Sequence, residues 1–266
     1  MKNLASLALT AAIIILPTSQ SFAVNTPSTK GQLTLSYSDG RPDSNGLKDV
    51  NAALMTVGVR VSTLPLPKAA TPLIETSEKR ALTKDEGAKL MSLFSLHRGQ
   101  LLEQIEKAGR KPEAHRGGFL STSEVGVAPY PKVYDMKAMT LDVVEYLQEK
   151  FGKLHVNSAE NGMGIDEVMT IVSGGHWTWF FTLPDNVTGK LTLGHVDVGG
   201  KAWRISYPGL VPHGGFLEPD YGLVVAYAHG PKNFVMRYED PGVKGSEVLG
   251  SNPWIDLSGI KPKLLK

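Results

Sequence analysis

The chain contains no cysteine. In an exported protein that absence excludes a disulfide framework, a thiol nucleophile and a thiolate metal site together. Any metal must be held by histidine, carboxylate or carbonyl groups, and stability must come from packing. An excess of one charge is also missing. Beyond residue 23 there are 27 basic and 26 acidic side chains, with no basic run longer than three. The electrostatic footprint of a nucleic-acid partner is therefore absent. No apolar run reaches the ~20 residues of a membrane-spanning helix. Familiar catalytic signatures are lacking too: there is no G-x-S-x-G elbow, H-E-x-x-H, P-loop or G-x-G-x-x-G.

What is present begins with a secretory pattern. Lys2 supplies positive charge, Leu4 to Leu16 form an apolar run broken by Ser6 and Thr10, and Pro17 ends it. Ser21-Phe22-Ala23 is then a small-x-small cleavage site. The expectation is a signal peptide over 1–23 and a mature protein that is periplasmic or secreted. An apolar share of 41% supports a packed core in the remainder.

The pattern along the chain predicts an α+β fold. A helix-bearing N-terminal part, 24–152, packs on a C-terminal antiparallel β-barrel or sandwich that runs, with its tail, over 153–266. Alternation marks a strand over Gln32 to Tyr37 and another at Val59 to Thr63. Between them Asp49 is placed to cap a short helix that Gly58 ends. Thr83-Lys84-Asp85-Glu86 is a capping box opening a helix through Leu90, Phe94, Leu101 and Ile105 to Gly109, with Gly99 a weak point inside it. Thr140 caps a second long helix, to Phe151. The stretch 117–135 reads as a loop or one strand. Six short strands follow at 168–172, 177–183, 190–198, 202–207, 223–227 and 234–238, separated by Gly and Pro turns. Trp254 is placed to pin the tail to the body.

Five of the seven histidines, at positions 155, 176, 195, 213 and 229, fall in the β-rich part. Their spacing of about one strand and return can bring imidazoles from successive strands to one end of a sheet, and imidazole is the commonest metal ligand. His195 and Asp197 fall on one face of a predicted strand. Arg204 is a candidate for binding a substrate anion. Tyr207, just before a proline turn, is a candidate proton donor. Trp177, Trp179 and Phe181 share one face and read as core.

Two segments carry a resemblance. Glu167-Val168-Met169-Thr170-Ile171-Val172-Ser173-Gly174, with His155-Val156-Asn157 upstream, looks like the first motif of the cupin superfamily, with Asn157 where a second histidine usually stands. Pro208-Gly209-Leu210-Val211-Pro212-His213-Gly214 is similar to the second. The resemblance implies that His155, Glu167 and His213 meet on one divalent ion, zinc, iron, manganese or nickel, with His176 or His195 as alternatives should Asn157 not bind. It implies a metal-dependent lyase, isomerase or oxygenase acting on a small oxygen-bearing molecule. The competing expectations are a non-catalytic periplasmic ligand-binding protein and an inhibitor or immunity-type protein with a protein partner.

Overall fold

In a computed structural model, residues 32–110, 130–160, 162–218, 221–230 and 235–266 are described. The signal-peptide reading over 1–23 and most of the 117–135 stretch lie outside them. The architecture is α+β: the described residues form two five-stranded sheets, two short two-stranded ones and five α-helices.

The first large sheet runs in the order β10-β7-β8-β1-β2. Its strands are β10 (His213–Phe216), β7 (Trp177–Thr182), β8 (Thr188–Leu193), β1 (Leu33–Tyr37) and β2 (Ser44–Asn45). The second runs β3-β9-β6-β11-β4, from β3 (Arg60–Pro65), β9 (Lys201–Tyr207), β6 (Asp166–Gly174), β11 (Gly222–His229) and β4 (Lys132–Asp135). All pairings in both are antiparallel. The sheets pack face to face. Leu33, Leu35, Trp177, Trp179, Phe181 and Leu191 from the first share one core with Met169, Ile171, Trp203, Ile205, Tyr207 and Val224 from the second. Side chains alternate between faces along a strand, so each of these residues comes from every second position. Of the two forms expected, this is the sandwich: among the described residues no barrel closes, because β2, β3, β4 and β10 remain sheet edges.

The alternate positions of the second sheet carry the helices. Val168, Val172, Leu223, Val225 and Tyr227 pack under α2 (Thr71–Ser77), α3 (Lys84–Leu93) and α4 (Arg98–Lys107). The Thr83 capping box forms as expected. The single long helix does not. Phe94 to His97 break it, and His97 with Gln100 forms a second capping box that starts α4. The apolar positions keep helical phase across the break, which hid it. In α1 (Gly46–Leu54) the N-cap is Asn45, with Asp49 inside the first turn. The C-terminal Gly58 is left-handed at φ 73° as expected. Thr140 caps α5 (Leu141–Gly152) by accepting from Val143 N–H. Trp254 does pin the tail, its Nε1 donating to Thr188 O at 2.9 Å. No helix of the described residues is long and apolar enough to cross a membrane.

Candidate active site

The site is assembled where β5 (Val156–Ser158), itself paired with β12 (Val235–Arg237), meets the turn before β10. His155 and His213 lie directly opposite one another and exchange both backbone hydrogen bonds, each 2.9 Å. Opposed residues of an antiparallel pair project to the same side, so the two imidazoles meet with ring centroids 4.6 Å apart. Two residues along from His155, Asn157 comes to the same face. The Pro208–Gly209 turn makes this possible. Asn157 N–H donates to Gly209 O at 2.8 Å. A Cβ on Gly209 would lie 2.6 Å from Asn157 O and against Ile165 O, so only glycine admits the approach.

Glu167 arrives from the neighbouring sheet. It shares the inward parity of Met169 and Ile171 and stands opposite Tyr207 on β9. Asn157 Nδ2 donates to Glu167 Oε1 at 2.8 Å and stands 3.2 Å from His213 Nε2. Tyr207 also hydrogen-bonds Glu167, and Tyr130 donates to Oε1 at 3.5 Å. Thus His155, Glu167, His213 and Tyr207 do converge, around Asn157.

The protonation states follow from the partners. His155 Nδ1 is 2.8 Å from Lys153 O and His213 Nδ1 is 2.7 Å from Val211 O. A carbonyl only accepts, so both Nδ1 atoms carry the proton and both Nε2 atoms keep a lone pair. Burial holds both rings neutral, pushing His213 down to about 4 and His155 well below its ordinary value. Burial pushes the Glu167 carboxyl up to about 7, against its hydrogen bonds from Tyr207, Asn157 and Tyr130. Tyr207 and Tyr130 are pushed well above the usual phenol range by burial and by Glu167. They remain donors.

These groups form the floor of a cavity of about 510 Å³. Its walls are Met169, Trp179, Leu147, Phe151, Leu217 and Val224, with Lys132, Lys150 and Tyr134 also in the lining.

The donor types suit a divalent ion of the zinc, iron, manganese or nickel kind: two neutral imidazoles, a carboxyl and an amide oxygen. Histidine ligands characteristically give their other N–H to a carbonyl or carboxylate, as both do here. Asn157 Oδ1 is buried with no hydrogen-bond partner, an acceptor that a cation would satisfy. As the side chains stand, however, the Asn157 amide nitrogen bridges Glu167 and His213. Among the described residues no three histidine, cysteine, aspartate or glutamate side chains reach metal-ligand spacing. To hold an ion, the histidine and glutamate side chains would have to draw closer and the amide would have to turn over. Its N–H groups then leave Glu167 and His213, and the orphan Oδ1 faces them.

Other candidates fall elsewhere. Arg204 does not line the cavity. It donates to Thr170 Oγ1 at 3.0 Å on the outward face of the second sheet. Positions 204 and 207 differ by three, so on one strand they point to opposite faces. His195 and Asp197 follow the end of β8 instead of extending it, because Val196 forms an isolated bridge to Gly174. His195 Nε2 is 3.1 Å from Tyr221 Oη and its Nδ1 faces Gly175 O. Neither His176 nor His195 lines the cavity. Tyr130, Tyr134 and the two lysines were missed. They belong to the end of a Gly- and Pro-rich stretch and to an amphipathic helix, where nothing marks them beyond their type.

No protein-family model matches the chain, and no curated protein matches it. Among solved structures, acireductone dioxygenase from Bacillus anthracis, with a cadmium ion in its active centre, matches at 20% identity and a TM-score of 0.51. That match covers 79% of this chain and 98% of the other. The likeness is to a cupin-fold enzyme and is one of fold: the chain has a cupin-like α+β sandwich.

Proposed function

We propose that this protein is an exported metal-dependent enzyme acting on a small oxygen-bearing molecule, with His155, His213 and Glu167 as the ion's holders and Asn157 Oδ1 beside them. One observation carries the reading. Two imidazole lone pairs, a buried carboxyl and an orphaned amide oxygen gather at the floor of a single cavity. The cadmium in the active centre of the solved fold neighbour supports placing an ion in such a fold. A bound ion supplies Lewis acidity toward an oxygen of the substrate, which suits lyase, isomerase and oxygenase chemistry alike.

The chain's own groups do the rest. The carbonyls of Lys153 and Val211 fix both rings with Nε2 inward. Tyr207, hydrogen-bonded to Glu167, orients the carboxyl and keeps its own proton. The aromatic and aliphatic walls exclude water from the reacting end.

A second reading rests on the amide bridge as it stands. Glu167 titrates at about 7 in a network closed by Asn157, which suits general acid–base work without an ion. Metal analysis separates the two. In protein spanning 24–266, purified without a histidine tag and incubated with each candidate ion, plasma mass spectrometry should find about one ion per chain. His155→Ala and His213→Ala, folded by circular dichroism, should each weaken retention by more than about tenfold, since loss of even an outer-shell partner of a ligand costs about 10–100-fold. Parent protein that retains no ion would overturn the metal reading.

A further inference from the structure

We infer that the cavity takes a small organic anion, its charged head held at the rim by Lys132 and Lys150 and its short apolar body against the cavity wall. This rests on the preceding reading of the cavity as a substrate site and adds the class of molecule. Lys132 on β4 and Lys150 on α5 both belong to the lining. Each ammonium stands over an aromatic ring: Lys132 Nζ is 4.6 Å from the Tyr134 centroid, and Lys150 Nζ is 5.8 Å from that of Tyr146. Tyr134 in turn meets Phe151, the neighbour of Lys150, edge-on at 6.4 Å. Both lysines thus border the cavity on its β4 and α5 side, Lys150 also bordering a second pocket beside Tyr146, Glu149 and Lys153.

Among the described residues neither lysine is in an ion pair. Lys150 is close enough to the floor for its charge to help keep His155 neutral. Among the described residues the one acidic side chain in the lining is Glu167, buried at the floor and hydrogen-bonded to Asn157. Two cations beside apolar walls, with Glu167 the one carboxylate among the described lining residues, complement a molecule charged at one end and apolar beyond it. An oxygen-bearing group past the apolar part would meet the histidines. Arg204, expected to hold the anion, stands on the far face of its sheet. The lysines take that role. An ammonium is a point charge that serves a carboxylate or a phosphate equally.

The test compares matched pairs by calorimetry and by quenching of Trp179, which lines the cavity. One pair is 4-methyl-2-oxopentanoate and its amide; the other is 3-methylbutyl phosphate and 3-methylbutanol. At least one anion should bind about tenfold or more tightly than its neutral partner, the strength of a charge-assisted contact. The better head distinguishes carboxylate from phosphate. In Lys132→Gln/Lys150→Gln the preference should fall to within about twofold, while Lys132→Arg/Lys150→Arg should keep it. Neutral partners binding as well as the anions, no binding of either anion, or a preference surviving the glutamine pair would each overturn the inference. Metal content is measured on the same samples. Anion preference in protein that holds no ion would leave this inference standing and remove the metal reading; an ion without preference would do the reverse.

Discussion

Replacing Asn157 by aspartate should destabilise the metal-free protein and strengthen its grip on a divalent ion. The change is isosteric, so packing around a side chain that is 4% exposed is kept. What changes is the proton inventory. The amide now gives N–H groups to Glu167 and faces the His213 lone pair. An aspartate gives none, leaving two carboxyls and two imidazole lone pairs facing one another. A buried charge stripped of its partner costs roughly 3 kcal/mol or more. Urea unfolding in chelator at pH 8 should show a loss of that order. The loss should shrink below about pH 6, where two carboxyls can share a proton. With an ion the sign reverses, because charge count in the ligand set raises affinity. A gain of about tenfold or more by calorimetry is expected. Unchanged stability together with unchanged metal affinity would mean that Asn157 does not hold the site closed.

The second large effect is on pH dependence. Glu167 has a folded value of about 7 against an ordinary 4.5, raised chiefly by burial. The folded state thus binds the proton more tightly than the unfolded chain. Glu167 costs no stability below about pH 4.5 and progressively more as pH rises to 7. About 2.5 units correspond to roughly 3 kcal/mol. His213 works the other way: folded at about 4 against 6.5, it costs nothing above 6.5 and progressively more as pH falls to 4. His155 shifts in the same direction. Glu167 offsets only one of the two histidine slopes, so the metal-free parent should still gain stability between pH 5 and 6.5, by about 1.4 kcal/mol per pH unit. Glu167→Gln reproduces the shape and neutrality of the protonated carboxyl and removes only its slope. It should match the parent near pH 4.5 and exceed it by roughly 3 kcal/mol at pH 8. Both histidine slopes then act unopposed, and stability rises with pH more steeply than in the parent. Unfolding curves at both pH values in chelator decide this. An equal difference at both would show that Glu167 is not held protonated in the folded state.

Both predictions turn on residues the sequence made visible to different degrees. His155, Glu167 and His213 were legible because two motif-like segments fixed their spacing, and the fold does bring them together. Thr83 and Thr140 were legible because a hydroxyl before an apolar-periodic run has a local use that tertiary contacts seldom change. The break before His97 was not, since Leu90, Leu101 and Ile105 stay in phase across it and histidine is an uncommon cap. Arg204 and Tyr207 cannot both face one substrate, because their odd separation on a strand forbids a shared face. Asn157 read only as a missing histidine. Its role as the amide that closes the network depends on which atoms two other strands, β6 and β10, deliver to it. The lysine rim depends on β4 pairing with β11 and on α5 reaching β10, both long-range facts. Gly214 shows the second of these: a Cβ there would lie 2.7 Å from Phe151 O.

Anomalous diffraction from crystals of residues 24–266 grown with manganese or cobalt tests whether His155, His213 and Glu167 hold one ion at the cavity floor. A single strong peak is expected beside His155 Nε2, His213 Nε2 and the Glu167 carboxylate, with the Asn157 amide turned so that Oδ1 faces it. Density with no peak there, and Asn157 Nδ2 still bridging Glu167 and His213, would contradict that placement of the ion.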